Sequence, residues 1–282
     1  MEIKTRPLSF ALGAEIVDFS ITSDLSVNTI NRIKDAFKKY QILLFRHQAI
    51  SFETHIAFSK LFGELDNHDS VPDYRHDTYP ELIVVTNKGR EPSKVFGRQW
   101  HSDHSMSLSP TTASLLHAHV LPDIGGETMF TNMYMAYDLL SKGMKEMLEH
   151  LNAVHTIATA HHLRGADPEM LAYKLNRNPP VVHPVIKTHP ETGKKSLYVN
   201  EMMTSHFENM TAAESQPLLH YLFNFSTQPE LIYRHKWEKH DLIIWDNRCT
   251  MHHALGDYDH EQVRLLYRTT VKGPVTGRYE TS

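Results

Sequence analysis

Short apolar runs bounded by turn residues constrain this chain more than any other feature. They recur at Leu82–Thr86, Ala113–Val120, Val181–Lys187, Leu197–Val199, Leu242–Trp245 and Val263–Val271, and Gln41–Phe45 reads as a further strand. Turn sequences such as Pro190-Glu191-Thr192-Gly193 stand between them. Runs of this length match strands. Helical patterns are few: Val27, Ile30, Ile33 and Phe37 after the cap Ser26, a segment from Phe52 to Phe62 stopped by Gly63, and a third helix with Leu218, Leu219, Leu222 and Phe223 opened by the capping box Thr211-Ala212-Ala213-Glu214. Many strands without regularly interleaved helices predict a mainly β chain, an antiparallel sandwich or barrel with flanking helices. Neither GxGxxG nor a P-loop occurs, and the paired glycines Gly125-Gly126 fall between two predicted strands, so a doubly wound nucleotide fold is excluded.

At 282 residues, 40% of them hydrophobic, the chain is long enough for one large core. No repeat, low-complexity segment or Gly/Ser-rich linker marks a boundary, and residues 1–282 read as one domain. Scattered basic residues, 29 Lys+Arg against 33 Asp+Glu, give a formal charge of -4, which removes the electrostatic footprint of a nucleic-acid or membrane-surface binder. No apolar stretch approaches the ~20 residues of a membrane span, and Met1–Thr5 lacks the apolar core of a signal peptide, which predicts a cytoplasmic protein. The single cysteine, Cys249, forbids an internal disulfide and argues against a thiolate metal site.

The chain carries 21 histidines. His101-Ser102-Asp103 is the first metal candidate, because residues i and i+2 of a strand face the same way and can close on one cation. Two other His-x-acid pairs exist, His189-x-Glu191 at a hairpin turn and His206-x-Glu208 in a predicted loop, so the pair is informative only in context. His252 and His253 follow the Leu242–Trp245 strand, and an imidazole there supplies a third ligand. Two His and one Asp leave positions open for a co-substrate and dioxygen, as in non-haem Fe(II) oxygenases; catalytic zinc is the rival, although no HExxH occurs. Arg264 and Arg268 alternate with Val263, Leu265, Tyr267 and Thr269. Four strand rises place their backbones ~13 Å apart, too far to share one carboxylate easily. Two anions, two acidic partners or a solvated outer face all satisfy that spacing. The pairs His117/His119 and His161/His162 read as surface or core imidazoles, and Tyr134, Tyr137 and Phe223 as core.

Taken in order, Trp100-His101-Ser102-Asp103, Gly125-Gly126-Glu127-Thr128, Trp245-Asp246-Asn247-Arg248 with His252, and Arg264 with Arg268 resemble the taurine dioxygenase family of Fe(II)- and 2-oxoglutarate-dependent oxygenases. The likeness covers nearly the whole chain, including Leu43-Leu44-Phe45-Arg46, Phe62-Gly63-Glu64-Leu65 and the stretch from Asn178 through His183-Pro184 to Asn200-Glu201. It implies a double-stranded β-helix, or jelly roll, flanked by helices. It implies iron held by His101, Asp103 and His252, with His253 a bystander. It implies that Thr128 and Arg264 bind the distal carboxylate of 2-oxoglutarate and that Arg268 binds the anionic group of the primary substrate.

The expected reaction consumes 2-oxoglutarate and dioxygen, releases succinate and carbon dioxide, and hydroxylates a small anionic carboxylate or sulfonate. Two branches supply expectations for the substrate. His68 falls where taurine dioxygenase has a sulfonate-binding histidine, whereas Tyr233-Arg234-His235, Trp237 and Trp245–Cys249 are more similar to the 2,4-dichlorophenoxyacetate dioxygenases. The segment Val95–Gln99 lacks the asparagine that taurine enzymes place near the substrate amine. The family is commonly oligomeric, which implies a homo-oligomer. A zinc hydrolase of the same fold and a non-catalytic metal-binding jelly roll are the alternatives; neither has reason to keep Arg264 beside Thr128.

Overall fold

In a computed structural model, which describes residues 3–69, 71–89, 97–160, 163 and 167–280, sixteen strands and six α-helices form among those residues. In chain order the strands are β1 (Lys4–Pro7), β2 (Ala14–Val17), β3 (Ile42–Phe45), β4 (Ile83–Thr86), β5 (Ala113–Val120), β6 (Thr128–Asn132), β7 (Asn152–His155), β8 (Val181–Pro184), β9 (Ile186–Thr188), β10 (Lys195–Leu197), β11 (Thr204–Phe207), β12 (Ile232–His235), β13 (Leu242–Asp246), β14 (Thr250–Ala254), β15 (Leu265–Val271) and β16 (Arg278–Tyr279). The helices are α1 (Val27–Tyr40), α2 (Phe52–Lys60), α3 (Met133–Asp138), α4 (Lys142–Leu148), α5 (Pro168–Arg177) and α6 (Ala212–Ser226).

The local signals act as their chemistry dictates. Ser26 Oγ accepts from the Thr29 N–H at the start of α1, and Thr211 and Glu214 close a reciprocal capping box at the start of α6. The apolar run expected at Val181–Lys187 is broken at Val185 into β8 and β9, which join different sheets. The run expected at Leu197–Val199 pairs as Lys195–Leu197 instead, and His206 lies on β11 rather than in a loop.

A seven-stranded sheet in the order β1-β2-β3-β13-β5-β15-β4 forms the frame; its pairs are antiparallel except β2 with β3. Both faces of its centre are buried, because β13 alternates between two cores. Leu242 and Ile244 pack with Leu43, Phe45 and Leu115 under Ile33 and Phe37 of α1 and Ile56 and Phe58 of α2. Ile243 and Trp245 point the other way, joining Leu44, Leu116, Leu266 and, from a second, three-stranded sheet (β12-β6-β14), Phe130. The two sheets therefore face one another across an apolar layer, and α3, α4 and α6 build a further core around Met133, Leu148, Leu219 and Leu222. No helix among the described residues is long and apolar enough to cross a membrane.

Candidate active site

Where the two sheets meet, His101 and His252 exchange backbone hydrogen bonds, N–H to O at 3.1 and 2.8 Å, forming a bridge that brings the imidazole rings to 4.1 Å between centroids. His252 is on β14. Asp103 is not on a strand: the chain turns directly after the His101 bridge, and that turn, rather than a shared strand face, aims the carboxylate at both rings. Asn247 makes the turn specific by accepting the Asp103 N–H at 3.0 Å through Oδ1, while Trp245 Nε1 donates to the same oxygen. One ligand atom from each of His101, Asp103 and His252 lies within 4.8 Å of the others, and all three residues are buried.

The donor set suits a divalent cation. His101 Nδ1 is 2.8 Å from the Gln99 carbonyl, which can only accept, so Nδ1 carries the proton and Nε2 the lone pair. Burial lowers both His101 and His252, keeping them neutral. Burial alone would raise the Asp103 carboxyl, but the Arg268 guanidinium above all, with the Ser114 hydroxyl donating to it, holds it well below the usual carboxylate range. Asp103 therefore offers a full negative charge between two neutral imidazoles, the pattern that hard and borderline metals take. His253 lies on the opposite face of β14, edge-on to Trp100 at 5.5 Å between centroids.

The two arginines are not on a solvated face. Arg264 and Arg268 are 4% and 5% exposed, and both line one cavity with Val71, Tyr74, Ile83, Val85 and Tyr258. Alternating charged and apolar residues look alike on an exposed strand and on a strand buried on both faces; here α2 covers the Tyr267 side and the second sheet covers the other. Arg264 immediately precedes β15, at a register shift that leaves His119 of β5 out of the ladder. Its backbone N–H donates to Asn87 Oδ1 and its Nε to the Gly126 carbonyl at 2.9 Å, yet Nη2 is buried without a hydrogen-bond partner. With no carboxylate among the described residues in contact, burial pushes Arg264 down to about 10. A cation held this way calls for an anion.

Glycine is required at the neighbouring turn: a Cβ on Gly125 would lie 2.1 Å from the Asp257 carbonyl oxygen, and its φ of +81° is left-handed. Thr128, which opens β6, is buried, and Trp237 Nε1 donates to its Oγ1 at 3.1 Å. His68 is wholly buried, and no side chain among the described residues hydrogen-bonds to its ring. Burial and then the nearby Arg268 push it down to about 4. Arg268 itself donates from Nη1 to Asp103 Oδ1 at 2.7 Å.

Gln99, Ser114, Asn247, Trp237 and Asn87 hold this site together, and reading the sequence missed their roles. Asn247, as part of Trp245–Arg248, and Trp237 carried a signal through the family likeness, but not one that gave their contacts. Asp246, next to Asn247, serves the scaffold, with His189 at 3.0 Å and Arg248 at 2.7 Å. His161 and His162 lie outside the described residues, as do Val95 and Phe96 of the segment before the metal motif.

The model of the "Taurine catabolism dioxygenase TauD, TfdA family" matches residues 4–270. An alpha-ketoglutarate-dependent 2,4-dichlorophenoxyacetate dioxygenase of Cupriavidus pinatubonensis is 32% identical over 283 residues, spanning 96% of this chain and 98% of that protein. An alkylsulfatase of Acinetobacter baylyi is 31% identical, over 98% and 86% of the two chains. The solved structure of AAD-2 in complex with Mn(II) and N-oxalylglycine is 30% identical over 100% of both chains, with a TM-score of 0.84. These likenesses set aside the zinc hydrolase and the non-catalytic reading: the chain belongs to the TauD, TfdA family, and it is a non-haem iron dioxygenase that uses Fe(II), 2-oxoglutarate and dioxygen.

Proposed function

We propose that the chain hydroxylates an organic anion with an apolar body, of the aryloxyalkanoate or alkyl sulfate type, within a jelly roll formed by the two facing sheets. The observation that carries this reading is the pair of buried guanidinium groups, Arg264 and Arg268, at a cavity walled mainly by the apolar and aromatic side chains of Val71, Tyr74, Ile83, Val85 and Tyr258, with Thr86, Asn87 and His104 as its polar members. One cation suits the distal carboxylate of 2-oxoglutarate and the other the substrate anion, while the apolar wall suits a ring or alkyl chain. The relatives that act on 2,4-dichlorophenoxyacetate and the alkylsulfatase support this class.

In this reading His101, Asp103 and His252 hold the iron. The iron, with 2-oxoglutarate and dioxygen, supplies oxidative decarboxylation to succinate and carbon dioxide and the oxidising power to hydroxylate a C–H bond. The protein's own work is placement. Arg264 and the Thr128 hydroxyl fix the co-substrate carboxylate, the Gly125-Gly126 turn lets the backbone carry Arg264 Nε, and Arg268 with His68 fixes the substrate anion so that one C–H bond faces the metal position. The apolar wall excludes water from that bond. Where the hydroxylated carbon bears an ether oxygen, the product is a hemiacetal and falls apart to a phenol and an aldehyde. The same reading takes the protein as a cytoplasmic homo-oligomer, with the lone buried thiol of Cys249 in keeping with a reducing compartment.

The test is aerobic incubation with Fe(II), 2-oxoglutarate and a panel of 2,4-dichlorophenoxyacetate, phenoxypropionate, alkyl sulfates, alkyl sulfonates and taurine, scoring succinate against organic product. One-to-one coupling with an apolar-bodied anion and none with taurine is expected. Arg268→Ala should still release succinate slowly while the organic product falls away; a variant that stays fully coupled would move the substrate anion elsewhere.

A further inference from the structure

Arg268 touches two positions at once. Its Nη1 donates to Asp103 Oδ1 at 2.7 Å, the same oxygen that lies 3.8 Å from His101 Nε2, while the other carboxylate oxygen accepts from Ser114 Oγ at 2.6 Å and lies 3.9 Å from His252 Nε2. Arg268 also lines the cavity beyond, where its charge reaches the buried His68 ring, and its Nε has no hydrogen-bond partner. A fixed unit charge in contact with the only carboxylate of the metal cluster opposes a divalent cation there, and burial leaves little water to screen it. Arg264 does not share this position, since its Nε is held by the Gly126 carbonyl.

We propose that Arg268 couples the anion cavity to the metal position: an organic carboxylate or sulfate monoester that engages Arg268 tightens metal binding at His101, Asp103 and His252, and the metal tightens anion binding by the same factor. The coupling has a simple origin. An anion against Arg268 neutralises the charge that repels the metal and draws the guanidinium away from Asp103 Oδ1, freeing that lone pair. Because both ligands act on one linkage, the effect is reciprocal. The inference rests on the proposed roles of Arg268 as anion anchor and of the His-Asp-His cluster as metal site, and it adds something neither role contains: Arg268 weakens the metal site when no substrate is present.

The experiment uses metal-free full-length protein at pH 8, titrated with Co(II) in the absence of 2-oxoglutarate and followed by visible absorption and calorimetry. Arg268→Gln and Arg268→Met, which keep the buried stem, should bind Co(II) about 10-fold or more tightly than the wild type, whereas Arg268→Lys, which keeps the charge, should stay close to it. Equal or weaker Co(II) binding in the two uncharged variants overturns the coupling. On the wild type, which needs no variant to fold, saturating 2,4-dichlorophenoxyacetate should tighten Co(II) by about 5-fold or more, and the gain should vanish in Arg268→Gln. If that anion binds the wild type without shifting Co(II), the coupling is overturned while Arg268 remains an anion anchor. If the uncharged variants gain metal affinity and calorimetry shows that 2,4-dichlorophenoxyacetate does not bind the wild type, the repulsion of the metal by Arg268 stands and the proposed substrate class falls.

Discussion

Trp237 Nε1 lies 3.1 Å from Thr128 Oγ1, and both side chains are buried. An indole nitrogen can only donate, so the threonine oxygen is the acceptor and its own proton is left to donate elsewhere. That fixes the Thr128 hydroxyl as a donor before any co-substrate arrives. Trp237→Phe keeps most of the ring volume and removes this constraint. It should raise the 2-oxoglutarate concentration for half-maximal succinate release about 2- to 10-fold, with little change in the maximal rate, as fits one neutral hydrogen bond. Thr128→Val should match it, and the double variant should add little more. A Trp237→Phe enzyme with normal 2-oxoglutarate dependence beside an impaired Thr128→Val would show that the indole contact is packing only.

Arg264 carries a buried charge that meets no carboxylate among the described residues, so it should cost stability in the ligand-free protein and contribute it when the co-substrate binds. Arg264→Met should leave the unfolding midpoint without 2-oxoglutarate unchanged or raise it. The same variant should raise the 2-oxoglutarate requirement about 10- to 150-fold. Lysine should rescue only part of that loss, because it lacks the planar fork. Thermal unfolding with and without 2-oxoglutarate reads both effects, and a variant that the co-substrate stabilises as strongly as it does the wild type would remove Arg264 from the carboxylate site.

Replacing His101, Asp103 or His252 with Ala should abolish succinate release and weaken Fe(II) binding, whereas His253→Ala, on the far face of β14, should keep both. Because burial lowers both imidazoles, protons should compete with a metal for them only below pH 6.5. Loss of Fe(II) in His253→Ala with retention in His252→Ala would show that the third ligand is the other imidazole.

Several histidines far from the metal cluster make stability pH-dependent. Burial pushes His55 down to about 3 and His117 and His183 down to about 4, each from an ordinary value of 6.5. His117 donates from Nε2 to the Gln48 carbonyl at 2.7 Å, and its Nδ1 lies 3.0 Å from His119 Nε2, an arrangement that a neutral ring satisfies by accepting on Nδ1. Below pH 6.5 the unfolded chain binds protons that the folded chain refuses, so stability is full above that pH and is lost as the pH falls toward 4. A shift from 6.5 to about 4, as for His117, corresponds to about 3 kcal/mol. Urea midpoints should hold between pH 7 and 8 and fall steeply from pH 6 to 4.5, and the fall should be shallower in His117→Gln. Midpoints flat across that range would mean that these rings open to solvent.

Much of this protein was legible in its sequence wherever a local period carries the information. Ser26 and Thr211 announce their helices because a cap acts within three residues, and Leu242–Trp245 and Ala113–Val120 announce strands because a buried strand must be apolar along its length. The ordered motifs named the family and singled out His101, Asp103 and His252 from 21 histidines and 33 acidic residues. Tertiary structure alone decided where each group faces. The pattern that buries Arg264 and Arg268 is the same one an exposed strand would show, and only the covering of β15 on both sides distinguishes them. Asp103 reaches the imidazoles from a turn that Asn247 holds across 144 residues, His68 is buried although it follows a helix stop, and Arg268 meets Asp103 across 165 residues. Contacts at such separations leave no period in the chain: the sequence determined which elements form and which chemistry is present, while sheet pairing and burial decided which charges meet.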